Sequence, residues 1–265
     1  MLVGELSGLV LPVGCAGCGR DDEPWCGGCR APFAAPPWRC EDRAGRLDPV
    51  DGHPLPVRTL AENVGAVRAV VVAWKDRGRR DLTRDVVAAA ARLGAGLVPE
   101  VVAALALAEV RVSPRGPVLV VAAPSTAAAR RRRGFAHADA LADGVAAGLR
   151  SAGVPAVRVA ALRRRSGEQV GLGVRARATV RVEVARRAAP AVRGRPVVLV
   201  DDVLTTGATL AAAAAALTVA GALVVAGATL VATPAPGRAR RDGRDLGPTD
   251  APRAGGTVVE RSRRR

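Results

Sequence analysis

Four short stretches of the chain carry apolar side chains at successive positions: VRAVVVAW (67–74), VLVVAA (118–123), VVLVDD (197–202) and ALVVAGATLVA (222–232). Valine dominates them, and its branched Cβ favours extended backbone. A run without polar alternation suits a strand covered on both faces, so each is expected to be a buried strand. Between them, TRDVVAAAARLGAGL (83–97), FAHADALADGVAAGLRSAG (135–153) and TLAAAAAALTVAG (209–221) read as helices. The last two close at Gly153 and Gly221, where a left-handed cap would sit. Strands alternating with helices predict an α/β fold, a mostly parallel sheet with helices on both faces.

This pattern occupies residues 58–234. Residues 1–50 lack periodicity and hold all five cysteines, which describes a small module held by something other than an apolar core. Residues 235–265, beginning APGRARRDGRDLG and ending ERSRRR, are rich in Pro, Gly and Arg and are expected to be disordered. Those last arginines suit either a solubilising tail or a nucleic-acid-binding arm.

Composition sharpens the picture in two ways. Apolar residues make up 49% of the chain but aromatics only 2%, so the core must be built from small aliphatics. The net charge of +16 suits contact with phosphate backbones. Yet a single one of the 40 cationic residues, Lys75, is a lysine. That bias, with abundant Ala, Gly and Val, fits GC-rich coding and makes part of the charge compositional. The start, MLVGELSGLVLPVG, has no basic leader, and the longest apolar stretch, 210–233, is interrupted by Gly221 and Gly227. A cytoplasmic protein without a membrane span is expected.

The candidate chemistry lies in VVLVDDVLTTGATL (197–210). Asp201 and Asp202 stand at the end of a strand, where open parallel sheets bind their ligands. The residues that follow lead into a helix whose N-terminus offers free amides and partial positive charge to a phosphate. Thr205, Thr206 and Thr209 add hydroxyl donors, while Gly207 and Ala208 let the backbone approach the anion. The carboxylates would repel that phosphate and should face hydroxyls or a cation instead. A sugar phosphate with Mg²⁺ satisfies both ends.

This stretch resembles the phosphoribosyl-pyrophosphate (PRPP) loop of type I phosphoribosyltransferases. The resemblance implies that Asp201 and Asp202 hold the ribose 2′ and 3′ hydroxyls. Val203, Leu204, Thr205, Thr206, Gly207, Ala208 and Thr209 would then form the PRPP loop around the 5′-phosphate, with Mg²⁺ accompanying the ligand. The reaction implied is displacement of pyrophosphate by a nitrogen nucleophile.

Three further stretches resemble the ComF (competence protein F, GntX-like) family: APSTAAARRRRGFAHADALA (123–142), LRRRSGEQVGLGVRARATV (162–180) and AWKDRGRRDL (73–82). By that resemblance Pro124, Ser125 and Arg133 belong to a pyrophosphate loop, Gln169 and Arg177 to a mobile loop that closes over the reaction, and Lys75 stands at the family's lysine position. The bland reading of Arg130–Arg133 is a solvated helix start. His137 and Ala136 replace the family's Gln and Asn, Thr179 and Val180 stand where an Asn is expected, and Ala123 replaces a residue that is often valine. His137 is more simply a structural or exposed residue than a catalytic one. The resemblance also implies a competence and DNA-uptake setting tied to nucleoside metabolism, with single-stranded DNA and competence proteins as partners. It leaves a homo-oligomer open.

Cys15, Cys18, Cys26 and Cys29 form CxxC-x7-CxxC, two knuckles suited to one tetrahedral Zn²⁺. Two disulfides would be the alternative, which a reducing cytoplasm disfavours. Cys40 is left as a spare thiol. Two functional readings follow. One is a phosphoribosyltransferase acting on an unidentified nitrogenous acceptor; the other is a DNA-uptake component that uses the fold as a nucleic-acid-binding scaffold.

Overall fold

A computed structural model describes residues 13–48, 54–109, 116–125, 136–164 and 181–235. In chain order the elements begin with α1 (Gly27–Ala34), β1 (Trp38–Arg39), β2 (Val57–Glu62), α2 (Gly65–Asp76), α3 (Thr83–Gly96) and α4 (Val98–Glu109). There follow β3 (Val118–Ala122), α5 (His137–Ser151), β4 (Ala156–Arg158), β5 (Leu162–Arg164) and β6 (Val182–Val184). The short α6 (Ala189–Val192), β7 (Pro196–Leu204), α7 (Ala208–Val219) and β8 (Leu223–Ala232) complete the order.

Six strands form one sheet in the order β1-β2-β8-β7-β3-β4. Every pairing in it is parallel except β1 with β2. β5 and β6 form a separate antiparallel pair. The expected α/β fold, with its mostly parallel sheet flanked by helices, is therefore what the chain adopts.

The valine runs explain how two layers of helices are held. Successive side chains of a strand point to opposite faces. In β3, Val118 and Val120 enter one core while Leu119 and Val121 enter the other; in β7, Val198 and Val200 oppose Val197 and Leu199 in the same way. The first core is closed by α2, α3 and α5 through Trp74, Val86, Leu93, Leu141 and Leu149. The second is closed by α7 through Leu210, Ala213 and Leu217. With so few aromatics, density comes from close approach of backbones. A Cβ on Gly148 of α5 would lie 1.8 Å from the Ala91 carbonyl oxygen of α3, a position only glycine can occupy.

VRAVVVAW (67–74), expected to be a buried strand, instead lies within helix α2. Its buried residues are Val67, Val70, Val71, Ala73 and Trp74, of which Val67, Val70, Val71 and Trp74 are spaced i, i+3, i+4, i+7, so the apolar stretch has the helical period. The strand of this region is β2, whose sequence VRTLAE mixes polar residues into the sheet. The charged ones, Arg58 and Glu62, are tolerated because partners lie close at the sheet edge. Arg58 pairs with Glu100 of α4 at 2.7 Å and donates to the Pro37 carbonyl at 2.8 Å. Arg43 pairs with Glu62 at 2.7 Å and lies 4.3 Å over the Trp38 ring.

The cysteine-bearing segment shares the first core, since Cys15, Trp25, Cys26, Cys29 and Phe33 pack within it. Arg79, between α2 and α3, donates to the carbonyls of Gly14 at 3.0 Å and Pro24 at 3.2 Å. Among the described residues no single helix is long and apolar enough to cross a membrane. The segment 236–265 lies outside the described residues.

Candidate functional site

β7 carries the acid pair to the carboxyl end of the sheet, and the chain turns there through Thr205 and Thr206 into α7. Gly207 makes the turn at φ 76°, the left-handed region that glycine adopts freely. The Ala208 amide donates to Thr206 Oγ1 at 3.4 Å, and the Ala211 amide closes the first helical turn on the Gly207 carbonyl at 2.8 Å. A small concavity of about 30 Å³ is lined by Asp201 and by the chain from Val203 to Leu210. Behind it stands the strap that follows Cys40. The Arg46 amide donates to the Thr206 carbonyl at 3.2 Å, and a Cβ on Gly207 would fall 2.7 Å from Leu47 Cγ.

Beside this loop opens a cavity of about 280 Å³. Asp201, Asp202, Val203, Thr205 and Thr209 line one side, Ala123, Pro124 and Ser125 after β3 another, and Lys75, His137, Ala138 and Arg164 the rest. The loop after β3 and the loop after β7 thus meet at one site, as expected where neighbouring parallel strands end. Leu204 differs from its neighbours, because its side chain is buried in the second core and only its backbone belongs to the loop. Arg133, Gln169 and Arg177 lie outside the described residues, the last two between β5 and β6.

The acids are not equivalent. The Asp202 amide donates to Asp201 Oδ1 at 2.8 Å, and Asp202 Oδ2 forms an ion pair with Lys75 Nζ. Burial, then the neighbouring Asp202 charge, push Asp201 from its ordinary value up to about 8. Near neutral pH the pair therefore holds one proton more readily than two isolated carboxylates would.

His137 is buried at the start of α5. Its Nε2 donates to the Trp74 carbonyl at 2.8 Å, and its ring meets Trp74 edge-on, 4.7 Å between centroids. Trp74 Nε1 in turn donates to Thr83 Oγ1 at 3.2 Å. The histidine borders the cavity while tying α5 to α2, and so fixes the last turn of α2. The contact between Lys75 and Asp202 is the feature that sequence reasoning missed; Arg164 is another. The signal for the first was the solitary lysine itself.

On the other side of α2, the ligand atoms of Cys15, Cys18, Cys26 and Cys29 all lie within 4.8 Å of one another. Four sulfurs that close can hold a metal such as zinc, with Zn–S bonds of about 2.3 Å. The Cys26 amide donates to Cys15 Sγ at 3.3 Å. Burial would raise the Cys15 thiol, but backbone amides of Cys18, Cys26 and Gly17 outweigh it and bring it down to about 6. Burial and the surrounding sulfurs push Cys29 well above the usual thiol range. A low-lying thiolate beside three further sulfurs is a donor set matched to a soft divalent ion. Cys40 stands apart. It is fully buried, its Sγ donates to the Val57 carbonyl at 3.4 Å, and burial pushes its thiol up to about 12.

A family model for the phosphoribosyl transferase domain matches residues 66–247. The chain belongs to this family. No curated protein matches it. The phosphoribosyl transferase domain so defined takes in α2, β3, β7 and β8, and with them the walls of the cavity. Membership means a protein of phosphoribosyltransferase type with a site for a phosphorylated ribose. The cysteine cluster and β2 precede the matched span.

Proposed function

We propose that this phosphoribosyl transferase domain binds PRPP together with Mg²⁺ and transfers its phosphoribosyl group to a nitrogenous acceptor. One observation carries the reading: the acid pair, the threonine-rich turn into α7 and the Pro124–Ser125 loop border one cavity. Asp201 and Asp202 accept hydrogen bonds from the ribose 2′ and 3′ hydroxyls. The amides and hydroxyls from Thr205 to Thr209 hold the 5′-phosphate at the N-terminus of α7. Mg²⁺, when bound, neutralises pyrophosphate charge, and Asp201 and Asp202 are the carboxylates of the described cavity able to hold it.

In the transfer, the acceptor nitrogen forms a bond to the anomeric carbon as the bond from that carbon to the pyrophosphate oxygen breaks. Pyrophosphate leaves with the electron pair, and the nitrogen sheds its proton. The acid pair beside the ribose stabilises the positive charge that develops on the sugar. We place the protein in the cytoplasm, with a structural zinc on the four cysteines, and in the competence and DNA-uptake setting that the ComF resemblance implies.

Calorimetric titration of the zinc-loaded protein with PRPP tests the reading. Binding is expected with Mg²⁺ and not without it, and Asp202→Asn is expected to weaken it at least ten-fold. Unchanged affinity in Asp202→Asn would remove the acid pair from the site. The charge of +16 favours a second reading, a nucleic-acid-binding scaffold. That reading gains if PRPP fails to bind while single-stranded DNA binds with steep salt dependence.

A further inference from the structure

Lys75 occupies the last turn of α2, one residue after a tryptophan that cannot move freely. Trp74 is fully buried and is held by His137 through its carbonyl and by Thr83 through its indole nitrogen. The backbone of Lys75 is therefore fixed, and its side chain is directed to the acid pair. The ammonium meets Asp202 Oδ2 and lines the same cavity as Ser125, Thr205 and Thr209.

An ammonium has three donors. Among the described residues Asp202 is its ion-pair partner, which leaves donors for whatever enters the cavity. Any phosphorylated ligand must come close to two adjacent carboxylates, and a cation lodged at that boundary offsets the repulsion. Lys75 stands at this boundary, with the acids on one side and the phosphate-binding turn on the other.

Composition gives an independent argument. The chain uses arginine for every cationic residue except this one. A bias that strong would be expected to replace lysine wherever arginine serves as well. The two differ in a way that matters here: guanidinium is a planar fork that pairs side-on with a carboxylate, whereas ammonium is a compact charge that can serve several oxygens at once. An arginine at 75 would engage Asp202 with its fork and carry its bulk into the cavity.

We infer that Lys75 is a ligand-contacting residue of this site, its ammonium bridging the Asp202 carboxylate and the anionic oxygens of the bound phosphoribosyl ligand, and that arginine cannot replace it. This rests on the PRPP reading above. A merely structural ion pair would tolerate arginine, because charge and reach are retained.

Because the chain has one lysine, the test has unusual resolution. Amine acylation of the full, zinc-loaded protein, followed by peptide mass spectrometry, reports Lys75 alone once the α-amino terminus is set aside. Saturating PRPP with Mg²⁺ is expected to slow acylation of Lys75 at least ten-fold. Lys75→Arg and Lys75→Met are each expected to weaken PRPP at least ten-fold by calorimetry, with thermal melting confirming that both fold. If PRPP binds the wild type while Lys75→Arg binds equally well and acylation is not slowed, the inference about Lys75 fails and the PRPP reading stands. If PRPP does not bind the wild type, both fail together.

Discussion

Asp201 is the residue whose environment says most about its own cost. Its folded state holds a proton up to about pH 8, far above the ordinary carboxylate value of 3.8, because burial and Asp202 oppose the charge. The folded chain thus binds this proton more tightly than the unfolded chain does. Its contribution to stability is fully present below pH 3.8 and is lost as pH rises toward 8. Asp201→Asn keeps the oxygen that accepts the Asp202 amide and removes the charge. The variant is expected to melt several degrees above the wild type at pH 8 and at nearly the same temperature near pH 4, as melting curves across that range would read. Parallel curves would mean that Asp201 titrates normally. At this scale the sequence was legible wherever neighbours in the chain are neighbours in the site: acid pair, threonines and glycine lie in one stretch. It was illegible where the partner comes from a distant helix, as with Lys75 and Asp202, or His137 and Trp74.

Among the elements, the valine runs of β3, β7 and β8 could be read because both faces of those strands are apolar, leaving no helical stripe. α2 was misread because Ala69 and Val72 fill the positions between its buried residues, hiding the period. β2 escaped notice because its charged residues Arg58 and Glu62 are satisfied by Glu100 and Arg43, which only the fold brings near. Helix pairing makes its own prediction. α3 and α5 touch backbone to backbone at Gly148, so Gly148→Ala must push them apart. Overpacking of this kind costs about 1–3 kcal/mol, roughly 2–4 °C of melting temperature per kcal/mol in a chain of this size. A variant that melts within one degree of the wild type would show that the helices separate freely.

For the molecule as a whole, the cysteine segment is part of the core rather than an appendage. Trp25 and Phe33 pack edge-on at 5.0 Å beside the four sulfurs, inside the same cluster as Trp74. Bound zinc is expected at one ion per chain by elemental analysis. Its removal by a chelator is expected to lower the melting temperature by at least 10 °C and to shift tryptophan emission to the red. Retention of both properties after complete removal would make the cluster dispensable. The scarcity of aromatics did foretell a core of small aliphatics, whereas nothing in residues 1–50 announced that they would reach two different layers of the fold. Cys15 to Phe33 join the first core; Cys40, Ala44 and Leu47 join the second. Leu47 stands directly behind Gly207, outside the span that defines the family. What is inherited as a recognisable family and what folds as a unit therefore have different borders here, and a fragment trimmed to residues 66–247 would lose the wall behind the turn at Gly207.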